Sequence, residues 1–187
     1  MIKNYLKKIY ETGLNIDEKN LNRIIKIIEN KILKKNSIFI CGNGGSAAIA
    51  SHTLCDWMKR LFPLVSCNIY DLTSNKSLIS AISNDVSFFE IFSYQLKILA
   101  KKNDLCIFIS SGGNSKNIIQ ALKYAKKNKI NSISILGFDG GVAKKLTDHS
   151  IHFRTDSYEE HEDLSQIVIH YIYQSLRKKF ERLKKGE

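Results

Sequence analysis

Five short apolar runs recur along the chain: "SIFICG" (37–42), "VSCNIYD" (65–71), "LCIFIS" (105–110), "SISILG" (132–137) and "SIHF" (150–153), with amphipathic stretches between them. Several are apolar at every position rather than at alternate ones. That texture belongs to strands covered on both faces, as in a parallel sheet whose crossover helices pack above and below it. Since such crossovers are right-handed, the pattern predicts an α/β fold: a doubly wound, five-stranded parallel sheet flanked by helices. Ligands of such sheets bind at the carboxyl ends of the strands.

The flanking segments read as helices. One spans about 2–12, and a second starts at Asp17, a suitable N-cap, with Leu21, Ile24, Ile25, Ile28 and Ile32 forming one apolar stripe. Residues 1–36 thus form two N-terminal helices that pack against the 37–187 core or against another copy. A last long helix, Glu159 to Arg182, sets Leu164, Val168, Tyr171 and Ser175 along one side. With 187 residues, 43% of them hydrophobic, the chain suits a single domain, 1–187. No window carries the roughly 18 apolar residues of a spanning helix, and "MIKNYLKKIYETG" has no apolar leader, so a soluble, cytoplasmic protein is expected. Cys41, Cys55, Cys67 and Cys106 lack CxxC spacing, which argues against a disulfide framework and a zinc ribbon. The net charge of +11 is spread over helix faces rather than gathered beside stacking aromatics, so a nucleic-acid partner is not expected.

Two strand ends carry similar punctuation, "ICGNGGSAA" and "ISSGGNSKN". Glycines there let the backbone turn sharply and approach a ligand, while serines and the first amides of the next helix offer donors to an anion. Neither loop is a Walker loop, because no GK[ST] follows. Both read as cradles for a phosphate or sugar hydroxyls.

His52 and Asp56 lie four apart on the helix after the first loop, and so point the same way. "EEHEDLSQIVIHYI" offers Glu162, Asp163 and His170 on the last helix. Two imidazoles with carboxylates suit either a divalent metal such as zinc or an acid and base pair. His149, His152 and His161 have no comparable context and are read as structural.

"GNGGSAAIASH", "ISSGGNSKNII", "LGFDGG" and "EDLSQIVIH" together resemble a sugar-isomerase (SIS) domain, most closely the phosphoheptose isomerases, over nearly the whole chain. The resemblance implies a ketose-aldose isomerase that converts sedoheptulose 7-phosphate into D-glycero-D-manno-heptose 7-phosphate for lipopolysaccharide or capsule. It also implies a homotetramer with sites between subunits, commonly holding zinc. Carried over by motif, Asn43, Gly44, Gly45 and Ser46 form the first substrate loop and Ser110, Ser111 and Ser115 bind the phosphate. Arg60 and Asp85 match substrate-site residues, as does Glu162. His52, Asp56, Glu162 and His170 match the metal ligands, with Asp56 as base and His170 as acid. In this chain Asp56 replaces the family's glutamate, Glu162 its glutamine, and Gly112 a hydroxyl residue.

The rivals are an isomerase of another phosphosugar, and a non-catalytic SIS protein that senses a phosphosugar or binds a replication initiator. His52 and His170 favour catalysis, since a binding module needs no imidazole pair beside a phosphate loop.

Overall fold

The computed structural model describes residues 1–186. Helices α1 (Ile2–Leu14) and α2 (Glu18–Leu33) precede β1 (Ser37–Gly42) and α3 (Gly45–Arg60). Next come β2 (Asn68–Asp71), α4 (Lys76–Ile82) and α5 (Ile91–Leu99), with a π turn, Ser83–Ser87, and a 3₁₀ turn, Phe88–Glu90, between the two helices. The chain continues through β3 (Leu105–Ser110), α6 (Lys116–Lys127), β4 (Asn131–Leu136), α7 (Gly141–Leu146), β5 (His149–His152) and α8 (Tyr158–Lys185).

The five strands form one sheet, all parallel, in the order β2-β1-β3-β4-β5. Strand order reverses between β1 and β3, which places the crevice of a doubly wound sheet at their carboxyl ends. The continuous apolar runs are explained by alternation between two cores. Ile38, Ile40, Leu105, Ile107, Ile109, Ile133 and Ile135 face α2, α3 and α8. Phe39, Cys41, Cys106, Phe108 and Leu136 face α4, α5, α6 and α7.

The edge strand β2 is shorter than the sequence suggests. Only Asn68–Asp71 pair with β1, while Leu64 and Val65 pack against the core from the preceding turn. Asp17 caps α2 by accepting from Asn20 N–H at 3.0 Å, a contact that contributes about 1 kcal/mol. On α8 the buried row is Leu164, Val168, Ile172, Leu176 and Phe180, whereas Tyr171 is half exposed. The buried face of α8 is centred on Ile172 and Leu176, with Leu164 at its margin, so the seven-residue stripe from Leu164 to Tyr171 runs along the edge of that face.

Helix α1 buries none of its residues. Polar ties hold it to the start of α8: Tyr5 Oη donates to Asp163 at 2.6 Å and Lys8 Nζ reaches Glu160 at 2.7 Å. Among the described residues, no helix is long and apolar enough to cross a membrane.

Candidate active site

The chain leaves β1 through Asn43 and Gly44 and enters α3. It leaves β3 through 111–115 and enters α6. Gly44 is the N-cap of α3 and Ser115 that of α6, and neither end has a side-chain cap. Two helix starts whose N-cap residues spend no side chain on them, Ile118 N–H in α6 being met by Asn117 Oδ1 at 2.9 Å, therefore open into one cavity of about 580 Å³, lined by Asn43, Gly44, Gly45 and Ser46 on one side and Ser110, Ser111, Gly112, Asn114 and Ser115 on the other. Amides at the positive ends of two helices are features that favour an anion. A larger hollow of about 890 Å³ borders Lys8, Lys144 and Arg154. It lacks these paired helix starts, and Lys8 is already spent on Glu160.

The loops are locked to one another. Asn43 Nδ2 donates to Asn117 Oδ1 and Asn117 Nδ2 donates to Asn43 Oδ1, both at 2.9 Å. Asn43 keeps one amide hydrogen and one lone pair for a ligand. The "LGFDGG" turn backs the second loop: Ala143 N–H donates to Gly113 O at 2.9 Å and Val142 N–H to Asn114 Oδ1 at 3.0 Å. The approach is close enough that a Cβ at Gly113, whose φ is +62°, would stand 2.1 Å from Gly140 O.

Glu162, from the second turn of α8, lines the same cavity. Its carboxylate lies over the start of α3, where a Cβ at Gly45 would meet Oε1 at 2.1 Å. The start of α3 is thus faced by a carboxylate of the protein, whereas at the second loop Ser115 Oγ is uncommitted as a cap. Tyr158 closes the rim against Phe138, ring centres 5.0 Å apart.

Further along both helices the second constellation comes together. His52 Nε2 lies 3.1 Å from His170 Nε2, and Asp56 Oδ2 lies 3.4 Å from the first and 3.5 Å from the second. These residues form a possible metal site. Two ligands on bonds of 2.0–2.2 Å at a tetrahedral angle sit roughly 3.3–3.6 Å apart, so the triangle fits one face of a zinc tetrahedron. The chemistry of the donors, two imidazoles and a carboxylate, fits as well. The side chains of His52 and His170 are 49% and 42% exposed, which leaves the open vertex accessible.

Glu162 lies with the loops and outside this trio. Eight residues separate it from His170, about 12 Å of helix, just as six residues separate Ser46 from His52, about 9 Å. The residue beside His170 is instead Gln166, one turn back, with Nε2 at 2.8 Å from His170 Nε2. Sequence reasoning passed over Gln166, although the i, i+4 relation to His170 would have found it. It also passed over Asn114 and Asn117. Arg60 and Asp85 are exposed, and neither lines the cavity. Asp85 lies in the π turn, a feature common at functional sites.

Comparison with known proteins places the fold and the family. The SIS domain family matches residues 2–137. A phosphoheptose isomerase structure from Neisseria gonorrhoeae superposes with a TM-score of 0.88 at 23% identity, covering 95% of this chain and 97% of that one. The fold and its paired strand-end loops are those of an SIS-domain protein. Within that class, the chain is 35% identical over 95% of its length, and 98% of the relative's, to a probable phosphoheptose isomerase of Thermoplasma acidophilum. It is 36% identical over 95% of its length, and 94% of the relative's, to the phosphoheptose isomerase of Sulfurimonas denitrificans. The chain belongs to the phosphoheptose isomerase family, and it is an isomerase.

Proposed function

We propose that this isomerase interconverts sedoheptulose 7-phosphate and D-glycero-D-manno-heptose 7-phosphate, supplying heptose for lipopolysaccharide or capsule. The observation that carries the reading is the convergence of His52, Asp56 and His170 about two helical turns from a cavity lined by two glycine loops. A seven-carbon sugar has its phosphate at one end and its carbonyl at the other. Bound with its phosphate on Ser110, Ser111 and Ser115, it extends along α3 and α8 toward the trio.

Asp56 is the base. Its carboxylate takes the proton from the carbon beside the carbonyl, the C–H electrons become the C=C bond of a cis-enediol, and His170 protonates the carbonyl oxygen. Asp56 then returns the proton to the former carbonyl carbon, while the hydroxyl on the carbon that first lost its proton gives up its own to His170 and becomes the new carbonyl, so no atom is gained or lost. Gln166, against His170, orients the ring. The same three residues, His52, Asp56 and His170, would hold a zinc ion, which would supply positive charge against the oxygen that becomes negative in place of the His170 proton, since a ligating nitrogen carries none. Glu162 and Asn43 meet the sugar hydroxyls.

The reading includes a homotetramer. Ile2, Leu6 and Tyr10 of α1 and Phe62, Phe88 and Phe89 near the trio and the π turn are exposed, apolar area of the kind that a second copy covers. A neighbouring subunit would bring Arg60 and Asp85 to the site. The test is direct turnover of sedoheptulose 7-phosphate by NMR, with other ketose phosphates alongside. Conversion of the heptose phosphate and loss of it in Asp56→Asn support the reading. No conversion by zinc-loaded protein overturns it.

A further inference from the structure

His161 precedes Glu162 on α8 and is fully buried. Its ring fills the junction of three elements. Nδ1 lies 2.8 Å from Ser111 Oγ, Nε2 lies 3.3 Å from Ser165 Oγ one turn on, and the ring packs 6.0 Å from that of Phe153. Position 137 leaves room for the ring, since a Cβ there would stand 2.9 Å from His161 Cδ2.

Gly137 is also tied to the same serine, its N–H donating to Ser111 O at 2.9 Å. Ser111 is therefore held twice, by main chain from the end of β4 and by side chain from α8. Its neighbour Ser110 is committed to the turn, Oγ accepting from Gly113 N–H at 3.2 Å. Of these two adjacent hydroxyls at the cavity floor, Ser111 is the one whose rotor is set by a residue behind the wall.

A free serine hydroxyl samples several rotamers and loses that freedom when it binds a ligand. Fixing it beforehand moves the loss from binding to folding, which raises affinity. Burial pushes the His161 imidazole down to about 4, so near neutrality it orients the serine as an uncharged partner and adds no cation to the site.

We infer that His161 is a positioning residue for the phosphate end of the ligand: as the tautomer whose Nδ1–H donates to Ser111 Oγ and whose Nε2 accepts from Ser165, it leaves the Ser111 proton aimed at a phosphate oxygen. This rests on reading the loop cavity as the phosphate site. Nothing in its local sequence marks it, because the partner lies 50 residues upstream.

The experiment uses the full chain, with inorganic phosphate as probe by calorimetry and sedoheptulose 7-phosphate as substrate. His161→Leu is expected to raise both the phosphate Kd and KM by about ten-fold, the worth of one hydrogen bond of about 1.4 kcal/mol, with a much smaller change in kcat. His161→Gln, which restores a hydrogen-bonding group, is expected to recover most of the loss. In Ser111→Ala the further change His161→Gln or His161→Leu is expected to add nothing, since both act through one hydroxyl. Should His161→Leu fail to fold, the Ser111→Ala and His161→Gln cycle carries the test by itself. Unchanged KM and phosphate Kd, or additive losses in the cycle, overturn the inference while leaving the isomerase reading intact. Wild-type protein that turns over no phosphosugar and binds no phosphate overturns both.

Discussion

His52 Nε2 and His170 Nε2 stand 3.1 Å apart although 118 residues separate them along the chain. Two ring nitrogens this close cannot both aim a proton at the other, so without a shared cation one must donate and the other accept, and with one both are acceptors. Chelation is therefore expected to lower turnover by about a hundred-fold or more, the scale of a lost Lewis acid, and zinc to restore it. His52→Ala is expected to cut bound zinc, read by elemental analysis of the purified protein.

Asp56→Asn keeps the size of the side chain and one oxygen but abolishes the base. A drop in kcat of roughly 10²–10⁴ is expected, with inhibition by inorganic phosphate retained because the anion loops lie two turns away. Steady-state kinetics with phosphate as competitor read both quantities.

The layout of the sheet was legible because each central strand feeds two cores, which forces unbroken apolar runs such as "LCIFIS". The two loops that line one cavity were legible because glycines and serines cluster at the ends of the first and third strands. The start of β2 was not, since Leu64 and Val65 are as apolar as a strand but pack from a turn. Tyr171 misled because the stripe it shares with Leu164 runs along the margin of the buried face, whose centre carries Ile172 and Leu176. At the site, His52 with Asp56 could be read from i, i+4 spacing. The separation of Glu162 from the trio could be computed as helix rise but its company could not, because that depends on where the start of α3 lies beside α8.

Glu162 shares the cavity with the proposed phosphate, and two anions in one cleft repel. Glu162→Gln is expected to tighten inorganic phosphate binding about three-fold or more at low ionic strength, with the gain shrinking as salt screens the site. Calorimetry at two salt concentrations checks it. Equal affinity in both proteins would mean that the carboxylate faces away from the bound anion.

Gly113→Ala places a Cβ against Gly140 O in a backbone with φ at +62°. A loss of about 1–3 kcal/mol or more is expected, together with weaker phosphate binding as the second loop shifts. Urea unfolding gives the first and calorimetry the second.

Between pH 6.5 and about 4 the unfolded chain takes up a proton at residue 161 that the folded chain refuses. More protons on the unfolded side mean that stability falls as pH is lowered through this window, by on the order of 3 kcal/mol. At pH 7 both states are neutral and the contribution vanishes. Urea midpoints of the wild type and His161→Leu are expected to converge toward pH 4.5, the difference isolating this group from the carboxylates.

The amide pair between Asn43 and Asn117 bonds in both directions, and that reciprocity restricts how the protein can vary over descent. A carboxylate at either position forfeits one of the two bonds, and a shorter side chain forfeits both, which at position 43 leaves the buried Asn117 Nδ2 without its partner. Positions 43 and 117 therefore form one heritable unit. A lineage that alters the first glycine loop here must alter the entrance of α6 in step, so the two halves of the anion site are inherited together.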